Sequence, residues 1–488
     1  MRVVVVGAGA TGLGVAWDLV LRGIEVIVIE QGDIAHGTSG RFHGLLHSGA
    51  RYAVRDAKAA IECFHENGVL RKIAQGSIEP TGGYFVEPRS ADPAYGDQWQ
   101  AAMAGLGIPA QEVSLGELAT KIPELARDLR RAFQVPDGVI NGFELLFRLR
   151  LGIERHGGEV RLNTRLSRVQ IGPSGAVVGV DIESRERGRE GVACDALVNA
   201  AGPFAGRVAE LYGDPFSMRL SRGIMLVFAE RKADAVVNRL APPGDGDILV
   251  PHHRISIWGT TDEATADPEA SPPSLDEAHR LLGLGRDLFS GMEKWRVLRA
   301  FAGVRPLYQA HAGGEGRYLT RDFTVLNHSQ GQGPEGVISI VGGKWVTYRL
   351  MAEQAADQVA HYLHVFARST TKDTVLPSTL PAKSSKPASA VNLCECEEVS
   401  LEDLNRFPGA TLSQLRTRTW FSMGPCQGTF CMHRVAATRL EQEEVEVIDD
   451  QVNALRAERD RGMTAALWGD NAREWALNRA IVHQVLAE

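Results

Sequence analysis

The sequence predicts an α/β plus α+β chain: a Rossmann-like dinucleotide-binding domain, an antiparallel-sheet domain inserted into it, and a small helical domain at the C-terminus. Three observations carry this. A glycine fingerprint stands between a strand pattern and a helix pattern at residues 7–12. Strand patterns return after residue 157 and again near 337, each closing on glycines. Four of the six cysteines fall in the last hundred residues, beyond a connector rich in Pro, Ser and Lys. A length of 488 residues suits two to four units at roughly 150 residues per domain.

The first thirty residues read as strand, turn, helix, strand: VVVV, GAGATG, GLGVAWDLVLRG with apolar residues at helical spacing, then IEVIVIE. Gly7, Gly9 and Gly12 form G-x-G-x-x-G, and Glu30 ends the second strand. Glycines there let the backbone approach a pyrophosphate at a positive helix N-terminus, and the Glu30 carboxylate accepts hydrogen bonds from ribose hydroxyls. A bare glycine pattern is often only a tight turn; strand, helix and terminal acid together point to a dinucleotide. The choice between FAD and NAD falls to FAD because the fingerprint is N-terminal, no second one follows a strand, and the chain returns through LVNAAG and through VGGK opening a helix. A helix start at Gly342 and Gly343 is placed to stabilise negative charge on a reduced isoalloxazine.

Residues 157–202 alternate short strands with turns, and mixed segments at 80–140 and 205–300 combine pieces such as GIMLVFAE with helical ones such as SLDEAHRLLGLGRDLF. The expected layout is a discontinuous FAD-binding domain (1–80, 141–205, 300–370) and a substrate domain (81–140, 206–299). An exposed linker (376–391) leads to a C-terminal domain (392–488). No internal repeat is present.

A net charge of −7 gives no basic field for nucleic acid. The start MRVVVVGAGA lacks the basic end and cleavage site of a signal peptide, and no run reaches the roughly 18 apolar residues of a membrane span. The expected location is the cytoplasm.

Between the first βαβ unit and residue 52, TSGRFHGLLHSGARY gathers Thr38, Ser39, Arg41, His43, His47, Arg51 and Tyr52. Polar and cationic groups on glycine-rich backbone suit a site; a solvated loop with structural histidines is the plain alternative. At this point the chain resembles the FAD-dependent glycerol-3-phosphate dehydrogenases, most closely the large subunit of the anaerobic type. HGLLHSGARYAVRDA, EPTGG, VPDGVIN, VNAAG, RAFAGVRPL, TRDFTVLNH, GGKWVTYRLMAE, CEC and GPCQGTFC stand in the family's order over nearly the whole length. The resemblance implies a flavin fold of the glutathione-reductase/D-amino-acid-oxidase type. It also implies a substrate set of His47, Arg51, Tyr52, Arg305, Arg321 and Lys344, of which His47, Arg51, Arg305 and Lys344 are catalytic candidates. The expected cofactor-binding residues are Gly7, Gly9, Ala10, Thr11, Gly12, Glu30, Thr38, Ser39, Arg41, Gly44, Leu46, Ala200, Gly202, Gly303, Gly342, Gly343, Lys344 and Thr347. Chemically, several cations suit a phosphate dianion, which guanidinium groups bind through paired hydrogen bonds. Oxidation at C2 needs a base beside its hydroxyl, for which His47 is the candidate. Either His47 or Arg51 faces that hydroxyl.

Cys394 and Cys396 (C-x-C) with Cys426 and Cys431 (C-x4-C) offer four thiolates for Zn²⁺ or an Fe–S cluster. The spacing resembles the bacterioferritin-associated-ferredoxin type of [2Fe-2S] domain, which suits a flavin needing a one-electron outlet. Cys63 and Cys194 read as core residues. In family members of this type, further subunits lead electrons to membrane quinone, so the resemblance also implies partner subunits and peripheral attachment at the inner face of the membrane. The connector between LPS and CEC is shorter than in the typical large subunit. Two rival readings stay open: a flavin dehydrogenase or oxidase for another polyol phosphate, 2-hydroxy acid or amino acid, and a non-catalytic electron-relay subunit.

Overall fold

The computed structural model describes residues 1–308, 322–378, 391–440 and 443–486. Its first layer is a six-stranded sheet in the order Phe323–Asn327, Val337–Gly342, Ala196–Asn199, Arg2–Val6, Glu25–Ile29, Glu159–Arg161. The last five strands run parallel, and the Phe323–Asn327 edge pairs antiparallel with its neighbour. Period-2 alternation of the first strand explains how both faces are covered. Val3 and Val5 face a core built with the helices Ala10–Leu21, Gly142–Arg155 and Tyr348–Tyr362. Val4 and Val6 face the opposite core, closed by the antiparallel strands Thr164–Ile171, Val177–Ser184 and Gly188–Ala193. The segment 157–202, read as a return to the first sheet, therefore contributes its ends (Glu159–Arg161 and Ala196–Asn199) to that sheet, and its middle lies across it.

The second layer is a nine-stranded, largely antiparallel sheet centred on Met218–Phe228 and Gly83–Pro88. Its core takes in Trp258, Phe228, Phe289 and Leu249, all fully buried. The long strand Val297–Tyr308 pairs with Met218–Phe228, Ser221 opposite Arg305. The boundary expected at residue 300 falls inside this strand, because its hydrogen-bond partner lies in the second sheet.

The C-terminal region is a short hairpin (Asn392–Cys394 with Val399–Ser400) and helices, of which Leu412–Thr419, Cys431–Ala437 and Val445–Met463 share one core with Phe421 and Leu455. It docks on the rest through several contacts. Phe407 meets Phe147 edge-on at 5.2 Å, Trp420 stacks on His253 at 4.2 Å, and Arg254 pairs with Glu398. The start of the expected linker is fixed: Leu376 is 2% exposed, its N–H donates to the Ile73 carbonyl at 2.8 Å, and Arg148 donates to the Leu376 and Pro377 carbonyls. Residues 379–390 lie outside the described residues. Among the described residues no helix is long and apolar enough to cross a membrane.

Candidate active site

At the carboxyl ends of the parallel strands the first turn bends sharply because its glycines have no alternative. Gly7 sits at φ +107°, and a Cβ there would lie 2.6 Å from the Ala200 carbonyl oxygen; one on Gly12 would lie 1.9 Å from the Gly7 oxygen. Strand end, helix start and the Ala200 turn thus meet backbone to backbone, which leaves the N-terminus of Ala10–Leu21 open for a pyrophosphate. Glu30 is oriented by the Ala8 and Gly32 N–H groups, each donating at 2.9 Å. The Ser39 hydroxyl accepts from the Ala10 N–H at 3.0 Å, tying the glycine-rich segment to the helix start. Across the cavity, Gly342 and Gly343 both take φ +85°, a left-handed pair that turns the chain from strand to helix.

One cavity of about 300 Å³ runs through these elements. It gathers Gly7, Gly9, Ala10, Thr11, Glu30, Thr38, Ser39, Ala200, Gly202, Gly342, Gly343 and Lys344 from the expected cofactor set, and His47, Tyr52, Arg305 and Lys344 from the expected substrate set. His47 is 8% exposed, with Tyr52 and His43 rings each 5.5 Å away, and the Lys344 ammonium lies 5.0 Å over the Tyr52 ring. Arg305 is held by the Thr260 hydroxyl at 2.8 Å, the Thr261 carbonyl at 3.1 Å and the Ser221 hydroxyl at 3.2 Å. Those neutral acceptors fix its direction, and Asp262 lies 3.7 Å away.

Other expected residues are not on this lining. Arg51 is paired with the buried Asp247 at 2.6 Å, which draws its charge toward the second sheet and away from the cavity. Gly12 packs on Gly7, Leu46 gives its place to Leu45, and the Gly303 α-carbon faces the Arg41 carbonyl. The Thr347 hydroxyl donates to the Lys344 carbonyl at 3.1 Å. Arg41 and Gly44 face a different cavity, Gly44 against His252. Arg321 lies outside the described residues. The cavity also takes in Phe42, His43, Phe204, Trp345 and Tyr348. Of these, the GGKWVTYRLMAE and RFH motifs pointed to the neighbourhood without assigning Tyr348 a place on the wall, and nothing local in the sequence signalled Phe204.

Among the cysteines, Cys63 and Cys194 are buried, and burial pushes each thiol up to about 12, as structural thiols require. The C-terminal four behave differently. Cys431 shares hydrogen bonds with Cys394 and Cys426, and Cys426 with Cys396. Backbone N–H groups of Ser422 and Glu397 donate to Cys394, and those of Gly428 and Phe430 to Cys426. Through Cys431 first, and then these backbone donors, Cys426 is held below the ordinary thiol range despite burial. Yet among the described residues no group of three or more His, Cys, Asp or Glu is disposed as metal ligands. What is present is a chain of thiol contacts supplied with backbone donors, not a ligand tetrahedron.

A parallel sheet with a glycine turn at its carboxyl edge, an acid at the second strand end and a polar, cationic far wall define a dinucleotide-dependent oxidoreductase. The comparisons with known proteins name the dinucleotide. A family model described as FAD dependent oxidoreductase matches residues 2–349. In Haloferax volcanii, one of the subunits of the anaerobic glycerol-3-phosphate dehydrogenase is 35% identical, covering 98% of this chain and 89% of that protein. The corresponding protein of Escherichia coli K12, from an enzyme of the same name, is also 35% identical, over 98% and 95%. The chain belongs to the FAD-dependent oxidoreductases of the anaerobic glycerol-3-phosphate dehydrogenase family. Among solved structures, the FAD-complexed glycerol-3-phosphate dehydrogenase of Bacillus halodurans superposes with a TM-score of 0.57 at 22% identity, covering 76% of this chain and 66% of that one. Glycine oxidase from Geobacillus kaustophilus gives 0.58 at 18%, covering 78% and 100%. At such identities the likeness speaks for the fold.

Proposed function

We propose that this protein oxidises sn-glycerol 3-phosphate to dihydroxyacetone phosphate. The reading rests on one observation: a single cavity joins the dinucleotide turn and Glu30 to His47, Tyr52, Arg305 and Lys344. Bound FAD supplies a two-electron acceptor. His47 removes the proton from the C2 hydroxyl, and a base of near-neutral pKa at that atom is what alcohol oxidation at pH 7 needs. Arg305 and Lys344, with Arg321, bind the phosphate; a dianion repays the desolvation of several cations, whereas a lone carboxylate would need about one. Arg51 serves as a positioning residue, holding the Asp247 end of the second sheet against the glycine-rich segment. The aromatic walls, Phe42, Trp345 and Tyr348, exclude water from the reacting carbon.

The C-terminal cysteines are assigned to a [2Fe-2S] cluster, supported by a run of thiol contacts Cys394–Cys431–Cys426–Cys396 and by backbone N–H groups aimed at the sulfurs, the donors that stabilise thiolate ligands. From there electrons pass to partner subunits, a step supported by the relatives' names, which describe each as one subunit of a larger enzyme, and membrane quinone is the final acceptor in this reading.

The test is anaerobic. Flavin-loaded protein is mixed with glycerol 3-phosphate, glycerol, a 2-hydroxy acid or an amino acid, and the visible flavin band is followed. Bleaching by glycerol 3-phosphate alone is expected; bleaching by an amino acid with none from the phosphate ester overturns the substrate. Iron, sulfide and zinc analysis decides the metal: iron and sulfide are expected, and stoichiometric zinc without iron refutes the cluster.

A further inference from the structure

A second cavity, of about 450 Å³, lies where the glycine-rich segment, the nine-stranded sheet and the C-terminal helices meet. Among the described residues five guanidinium groups line it, Arg41, Arg299, Arg416, Arg459 and Arg461, against the two carboxylates Asp33 and Glu458. Glu458 cannot serve them all. Its carboxylate lies 3.4 Å from Arg299, 3.5 Å from Arg416 and 3.9 Å from Arg459. The Nε atoms of all three arginines are buried with no hydrogen-bond acceptor, and the Arg459 side chain is only 7% exposed. A buried guanidinium N–H without an acceptor is costly, and five cations around one hollow repel one another. An anion in the hollow resolves both. Burial first, and then the neighbouring arginines, lowers the Arg416 and Arg459 guanidinium groups.

The rest of the wall is apolar and partly aromatic, with Phe42, Phe143, Phe301, Ile257 and Met423. The volume lies inside the range of roughly 300–1,000 Å³ typical of small-molecule sites and exceeds what one phosphate ion fills. We propose that this cavity is a binding site for a nucleotide, adjoining the flavin cavity across the shared wall of His36 and Phe42, with the phosphates on Arg299, Arg416, Arg459 and Arg461 and the flat ring in the apolar half. Guanidinium forks pair with phosphate oxygens bidentately, and the aromatic wall gives the base a surface to cover. Because the wall includes the helices Leu412–Thr419 and Val445–Met463 as well as the strand Val297–Tyr308, the ligand also joins the C-terminal region to the nine-stranded sheet. None of this depends on which alcohol the enzyme oxidises.

The experiment is calorimetric titration of FAD-saturated full-length protein with ADP, with adenosine and with inorganic pyrophosphate. ADP is expected to bind at one site per chain, with adenosine absent and pyrophosphate weaker. Arg416→Gln and Arg461→Gln should each weaken ADP at least tenfold, whereas Arg305→Gln, in the other cavity, should leave it unchanged. Glu458→Gln removes the competing carboxylate and should tighten ADP several-fold, a gain that misfolding cannot mimic. Absence of ADP binding, pyrophosphate binding tighter than ADP, or loss of the signal in Arg305→Gln instead of Arg416→Gln each overturns the proposal.

Discussion

His47 shows how far single residues can be read. Its motif places it beside Arg51 four positions on, yet His47 reaches the cavity while Arg51 turns to Asp247, 196 residues away in the chain. A local pattern carries no record of a partner so distant, which is why sequence leaves the two interchangeable. The arginines at 41, 299, 416, 459 and 461 are illegible for the same reason: they converge only through tertiary packing. Replacing His47 with Ala should slow substrate-driven flavin reduction by about 10²–10⁴ with FAD content unchanged, measured by stopped-flow; a rate within threefold of wild type sinks its role as base. Glu458 offers a pH test. Burial favours its neutral form, but Arg416, Arg459 and Arg299 outweigh burial and hold its carboxyl at about 2, below the ordinary 4.5. A depressed native pKa stabilises the fold above 4.5 and loses that contribution as pH falls from 4.5 toward 2. Denaturant titrations across this window should show a shallower acid loss for Glu458→Gln than for wild type.

Elements are legible where one periodicity holds. The strand–turn–helix at 2–21 and the strand Val337–Gly342 with its glycine pair appear as read, because buried parallel strands are uniformly apolar and the turns demand glycine. The helix expected to open at Gly342 and Gly343 instead follows an extended Lys344 and a single 3-10 turn, Trp345–Thr347, and becomes α-helical at Tyr348. The Val297–Tyr308 strand is split by a sequence-based boundary because sequence shows that a strand exists but not which neighbour it bonds. Helix Leu275–Leu284 begins with a full capping box, Ser274 and Glu277 each bonding the other's backbone N–H, and Glu277 also pairs with Arg222 of the second sheet. Ser274→Ala should therefore cost about 1 kcal/mol, read as a shift in denaturation midpoint. Glu277→Gln should cost more, because it leaves the largely buried Arg222 with only the looser ion pair to Glu263 at 3.8 Å.

At the scale of the whole molecule, two regions share one scaffold: an FAD-dependent oxidoreductase domain and a C-terminal unit whose four thiols form a run of contacts, Cys394–Cys431–Cys426–Cys396. Cys426→Ser separates their tasks. Iron content and turnover with a one-electron acceptor should fall to background while anaerobic bleaching by substrate persists; full iron retention in this variant would refute the ligand assignment. The strand Val297–Tyr308 reaches both cavities, with Arg299 on one and Arg305 on the other. Six residues of extended chain separate them by about 20 Å at roughly 3.3 Å per residue, more than twice the screening length of about 8 Å in physiological salt. Arg299→Gln and Arg305→Gln combined in one chain should accordingly perturb stability as the sum of the single changes, to within about 0.5 kcal/mol. The same backbone thus serves two charged chambers as a spacer long enough to keep their ionic affairs private.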